Sequence, residues 1–205
     1  MIPMKRLLFV FAFFTCFFIS EVVIAQNVNQ FDDNKKRTGV WEKKYPNNKI
    51  RYSGAFENGK EIGVFKFYNN SSSQYPVIIK TYSKKNDSVL VQFFTLKGKL
   101  QSKGYFFNKN RIGHWTYYFK DGEKMSKEFY KEGKLEGELI NYYPNGKATE
   151  ISLYKNGLKD GASKKYSSEG ILIEEVTFKN GKTNGVAKYF ELNGNLKEIG
   201  SYLNG

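Results

Sequence analysis

Glycine recurs along this chain at one interval. Gly39 and Gly63 lie 24 residues apart, and Gly113, Gly137, Gly161 and Gly185 follow one another at the same 24. A fixed period constrains a fold tightly, because each unit must bury its apolar face against copies of itself. From Gly63 to Gly113 the interval is 50, two periods and two residues more. One unit therefore hides there. Val89 stands 24 before Gly113 in the glycine's place, and the extra residues fall in the turn-like stretch 69–76 (NNSSSQYP). The units are seven, led by Gly39, Gly63, Val89, Gly113, Gly137, Gly161 and Gly185.

Other columns keep the same register. Two residues after the lead come Trp41, Phe65, Val91, Trp115, Leu139, Ser163 and Ala187; five after come Lys44, Tyr68, Phe94, Tyr118, Tyr142, Tyr166 and Phe190. Seventeen after come Phe56, Phe106, Tyr130, Tyr154, Phe178 and Tyr202. Turn pairs punctuate six of the seven units twice: Asp121-Gly122 and Asn145-Gly146 show the first kind, Asn58-Gly59 and Asn156-Gly157 the second. Asn-Gly and Asp-Gly favour type I′ turns, whose central residues both need positive φ. The segments between turns are about seven residues long, a normal strand length, and rich in Tyr, Phe, Val and Ile. Each unit thus reads as a β-hairpin followed by a second turn. In its second strand a small residue stands beside an aromatic on one face, as with Gly54 and Phe56 or Gly104 and Phe106, so that a neighbouring ring or backbone can approach closely. The fold expected over 36–205 is all-β, an elongated antiparallel sheet of about seven stacked hairpins. About fourteen strands at about 4.8 Å each span roughly 65 Å.

The chain opens on a different pattern. Lys5 and Arg6 precede an uncharged run, Leu7 to Ile19, and then SEVVIA ends at Ala25, with Val23 and Ala25 where a signal peptidase reads. This is the layout of a secretory signal over 1–25, cleaved between Ala25 and Gln26. The apolar run falls short of the roughly 20 residues that a spanning helix needs. Cys16 lies mid-run without the small residues of a lipoprotein signal before it, and it leaves with the leader. A polar lead-in follows over 26–35. The mature chain loses Lys5, Arg6 and Glu21, so of 33 basic and 20 acidic residues it keeps 31 and 19, a net charge of +12, and it has no cysteine. An exported protein of this kind holds together by packing and hydrogen bonds alone. Its destination is the periplasm, the outer envelope or the exterior.

The repeated pattern resembles the MORN repeat, in the bacterial variant of proteins labelled YwqK-family antitoxins. The residues that carry the resemblance are Gly113-His114-Trp115 with Tyr118 and Asp121-Gly122, and Gly54-Ala55-Phe56-Glu57-Asn58-Gly59-Lys60 through Gly63. Val89, Lys109 and the insertion near Ser72 depart from it. The resemblance implies a long twisted sheet of hairpins and no enzyme, so there are no catalytic residues to carry over. The structural positions it highlights are Trp41, Phe65, Trp115 and Leu139; Tyr118, Tyr142 and Tyr166; and Phe56, Phe106, Tyr154, Phe178 and Tyr202.

Little else in the sequence bears chemistry. His114 is the one imidazole, and its column holds Val40, Val64, Leu90, Glu138, Ala162 and Val186 in other units, so it reads as a filler. Glu174 and Glu175 are adjacent on a strand and point to opposite faces. The Asn/Asp-Gly pairs lack the alternating acidic ligands of a calcium loop. No catalytic, cofactor-binding or metal residue is assigned, and no cofactor is expected. Lysines recur in turns and on expected strand exteriors: Lys43, Lys44, Lys49, Lys99, Lys103, Lys164, Lys165, Lys179 and Lys182. Such charges keep sheet surfaces and edges apart. They also attract anionic surfaces. Three functions follow as expectations: a non-catalytic exported scaffold for an unidentified protein or glycan, a binder of anionic membrane surface or polyanion, and, from the resemblance, a toxin-binding antitoxin. No specific nucleic-acid motif is present, and nothing indicates an oligomeric state.

Overall fold

The computed structural model describes residues 27–205, and the expected leader lies outside the described residues. Among the described residues every element is a strand. β1 (Gln30–Phe31), β2 (Arg37–Lys44), β3 (Ile50–Glu57) and β4 (Lys60–Phe67) open the series. β5 (Ile78–Tyr82), β6 (Val89–Phe94), β7 (Leu100–Phe107) and β8 (Asn110–Tyr118) follow. Next come β9 (Lys124–Lys131), the two-residue β10 (Lys134–Leu135), β11 (Gly137–Tyr142) and β12 (Ala148–Lys155). β13 (Leu158–Tyr166), β14 (Leu172–Lys179), β15 (Lys182–Phe190) and β16 (Leu196–Tyr202) complete it. All lie in one open antiparallel sheet in strict sequence order, with only β10 off the path as a side pairing of β9. The expected all-β array of stacked hairpins is what the chain forms. The lead-in adds to it: β1 pairs with β2, and Phe31 stands edge-on to Trp41 with ring centroids 5.1 Å apart.

The two turns of a unit differ in kind. Asn58 and Gly59 both take positive φ, 51° and 81°, and so do Glu132-Gly133, Asn156-Gly157 and Asn180-Gly181. These are the expected type I′ turns. In the other turn only the second residue is left-handed, as in Gly146 at 80° and Asn48 at 63°. Its N–H reaches back to the residue three earlier, Gly146 to Tyr143 at 2.9 Å. That is a type I turn closed by one left-handed residue. The type I′ expectation fails there for a physical reason. Pro46 and Pro144 hold the turn's leading φ negative, and the Asn145 and Asp121 side-chain oxygens each accept from the N–H two residues on, both at 3.0 Å.

The lead glycines also take positive φ, from 62° at Gly113 to 111° at Gly161. The ladder slips beside them: Ala55 pairs with Ile62 but Ser53 with Lys66, which leaves Gly63 in a bulge. A β-branched valine does not adopt that backbone. At Val89 the bulge is accordingly missing, and β5 and β6 pair without a slip from Tyr82 and Val89 to Ile78 and Phe93.

Candidate functional site

The column two after each lead is buried in every unit: Trp41, Phe65, Val91, Trp115, Leu139, Ser163 and Ala187. Two glycines make room for its largest members. A Cβ built on Gly54 would sit 2.4 Å from the Phe65 ring, and one on Gly104 would sit 2.2 Å from the Trp115 ring. Trp115 is fully buried, and its indole N–H donates to the Tyr105 carbonyl at 3.2 Å. Of the seventeen-after column, Phe56 is buried and Phe106, Tyr154 and Phe178 are half-buried, while Tyr202 is exposed. Phe56 stands edge-on to Phe65 and Phe106 edge-on to Trp115, both at 5.1 Å.

Tyr118, Tyr142 and Tyr166 are half-buried, but the rings that join the Trp115 face come one residue earlier in the unit. Phe67, Phe93 and Tyr117 lie 6.1–6.4 Å from Phe65 or Trp115. The ladder explains the displacement: it slips between Tyr117 and Tyr118, so strict alternation stops at that point.

A further column went unread in the sequence. Two residues before the lead, three of the seven units place a cation over rings: Arg37 over Trp41 and Phe56, Arg111 over Trp115 and Tyr130, and Lys159 over Phe178 on the following strand. The Arg111 guanidinium lies 4.6 Å from the Trp115 ring centre and 5.3 Å from that of Tyr130. One of its nitrogens donates to the hydroxyls of Tyr117 and Tyr130 at 2.9 and 3.0 Å, and Tyr130 donates to Glu128 at 2.7 Å. Burial and the Glu128 charge hold the Tyr117 phenol well above its ordinary range; burial and the bond to Glu128 raise that of Tyr130. The signal was available as a basic residue recurring ahead of the glycine, but only cross-strand pairing shows which rings it covers.

Along the sheet this aromatic face changes character. Beyond Glu128 the corresponding positions hold Glu150, Lys165 and Glu174. Glu150 accepts from Ser152 at 2.6 Å and pairs with Lys159. Burial alone would raise its carboxyl, but Lys159 and Ser152 prevail and hold it below the usual range. Ser152 and Ser163 are buried 2.7 Å apart. Lys165 pairs with Glu174 on this face at 3.0 Å and Lys164 with Glu175 on the other at 3.2 Å, so the adjacent glutamates do point apart. Lys165, like Lys43 opposite Tyr52, stands on the aromatic face of the sheet and is exposed there, as expected of a strand exterior. Other lysines tie units together: Lys99 donates to the Lys120 carbonyl at 3.0 Å, and Lys49 to that of Ser71. His114 is exposed and stacks edge-on to Phe129 at 5.1 Å.

On the aromatic face the ring contacts fall into two clusters. One runs from Phe31 through Trp41, Phe56 and Phe65 to Tyr82, the other from Phe93 and Phe106 through Trp115 to Tyr130. Between Tyr82 and Phe106 lies an open trough of about 370 Å³ on β5, β6 and β7. Ile78, Val89, Val91 and Phe106 line it, with Lys80 and Lys109 at its rim. Lys80 occupies the row position of Gly54 and Gly104, facing Val91, so no glycine opens space for a Trp or Phe in this unit.

Among the described residues no group of three or more His, Cys, Asp and Glu could hold a metal. No curated protein matches the chain. The MORN repeat variant matches residues 37–60, 135–156, 159–180 and 183–204. Those segments flank 61–134, where Val89, Lys109 and the insertion lie. Repeats of this kind, stacked in one open all-β sheet, make a scaffold suited to binding. By these four matched segments and by the sheet they build, the chain is a MORN-repeat protein of the variant type.

Proposed function

We propose that the protein is an exported, non-catalytic scaffold that binds a protein or glycan partner across the aromatic face of its sheet. The observation that supports this reading is the change along that face. A repeated backbone carries rings and arginines over its first half and glutamate–lysine–serine networks over its second. A fixed frame with varied side chains is how repeat proteins present extended binding surfaces. The leader, with Val23 and Ala25 before Gln26, supports export. N-terminal sequencing of protein from fractionated native cells should begin at Gln26; intact Met1 on cytosolic material would end that part.

The partner is tested by capture from native envelope fractions with mature protein, washed at low and then high salt. A discrete partner that survives high salt is expected. The charge of the mature chain favours a second reading, a polyanion or anionic-membrane binder. That binding weakens steeply between about 50 and 200 mM salt as counterions are released. Capture of only anionic lipid or nucleic acid, lost at high salt, would replace the first reading with the second. The antitoxin reading requires a cytoplasmic pool and a neighbouring toxin gene.

A further inference from the structure

The trough between the two ring clusters is a place where the repeat departs from itself on three counts. Val89 replaces a bulge glycine, so β6 runs straight. Lys80 replaces the glycine that elsewhere seats a large ring. Lys109 holds a φ of 68° in a type I′ turn where five other units place glycine. A non-glycine residue is strained in that left-handed backbone, and strain of this kind marks functional sites when a use for the side chain is at hand. Lys109 lies at the trough's rim, is exposed, and among the described residues has no carboxylate within ion-pair distance. Lys80 beside it is shared with Glu61 at 3.7 Å and lies over the Phe67 ring at 4.9 Å.

Resting on the scaffold reading, we propose that this trough is the specificity pocket of the binding face, and that it takes an aromatic side chain of a protein partner flanked by a carboxylate. Elsewhere between Phe31 and Tyr130, rings follow one another edge-on at about the spacing that favours such pairs. Here one ring is missing between Tyr82 and Phe106, and the floor is apolar. A guest ring completes the run, and its neighbouring carboxylate meets Lys109. The trough is open and short, sized for a side chain and not for a long acyl tail. A large ring in a desolvated slot with a charge at the rim is the usual make-up of an interface anchor.

The test uses the mature protein and a blocked tripeptide, acetyl-Glu-Trp-Glu-amide, at up to about 5 mM, the range a small ligand on an open site needs. Shifts of the methyl resonances of Ile78, Val89 and Val91 are expected. Acetyl-Lys-Trp-Lys-amide should leave them unmoved. Val89→Trp fills the slot and should weaken binding at least tenfold. Lys109→Gly removes the rim charge and relaxes the turn; it should fold at least as well and bind about threefold more weakly. No methyl shifts, equal response to the lysine peptide, or binding untouched by both variants would overturn the assignment. Phosphatidylglycerol vesicles that shift the same methyls, with loss of the effect in Val89→Trp, would assign the trough to lipid and overturn it too. If Val89→Trp still retains a salt-stable partner from envelope fractions, the scaffold reading stands and the pocket assignment falls.

Discussion

At the scale of single residues, the sheet is held by glycine–ring couples. Trp115 fills the space that Gly104 leaves, and Arg111 covers its other side. Trp115→Ala should cost about 3–5 kcal/mol, read by denaturant unfolding; a loss below about 0.5 kcal/mol would show the ring to be dispensable. Gly104→Ala should cost about 1–3 kcal/mol because the new methyl has no room. In the Trp115→Ala background that penalty should largely vanish, so the cycle should be clearly non-additive. The Arg111 cluster sets a pH response. The phenol of Tyr117 is raised above its ordinary value near 10 by burial and Glu128. A raised folded value contributes stability that is complete below the unfolded value and is lost as pH climbs through the folded one. Phenolate titration followed by ultraviolet absorbance should therefore show a late class of tyrosines that ionises with unfolding. Tyr117→Phe should shrink that class.

Elements are defined by their turns, and both edges of the array are stitched by them. On one edge, each type I′ glycine donates to a carbonyl of the preceding unit, Gly157 to Leu135 and Gly181 to Lys159, both at 2.8 Å. On the other edge, Tyr143 donates to Tyr166 at 3.0 Å and Asn145 to Ser168 at 2.9 Å. Asn145 does two jobs, since its oxygen also fixes its own turn. Asn145→Asp keeps that acceptor and loses the bond to the next unit, a cost of about 1 kcal/mol; Asn145→Ala should cost more. Equal losses in thermal unfolding would show that the bond between units contributes nothing. Lys109→Gly should stabilise the chain by about 1 kcal/mol, because it relieves a left-handed non-glycine residue.

For the whole molecule, nearest-neighbour stacking decides what can be removed. Each strand pairs only with its sequence neighbours, β9 and β11 meeting past the short side strand β10. Deleting one full unit, Gly137 to Asp160, should leave a folded protein with strand content reduced in proportion. Deleting half of it leaves a strand facing the wrong neighbour and should abolish cooperative unfolding in circular dichroism. Equal damage from both deletions would contradict nearest-neighbour stacking.

The period, the positions of the turns, the strand lengths and the buried column two after the lead could all be read from spacing, since a repeat prints its register in the sequence. The type I′ turns were legible too, at Asn156-Gly157 and its equivalents, because chemistry alone fixes a two-residue turn. Three matters were decided only by the tertiary structure. The first turn is a different type, because Pro144 and the Asn145 side chain outweigh the pair's intrinsic preference. The ring column that joins the Trp115 face is displaced by one residue, because a slip in the ladder resets alternation, and the glycine that marks such a slip does not say which way the next side chain turns. The pairing of Arg111 with Tyr117, Tyr130 and Glu128, and the trough between Tyr82 and Phe106, depend on which strands lie side by side. Cross-strand neighbours are long-range relations, and a single strand's sequence carries no record of the residue opposite.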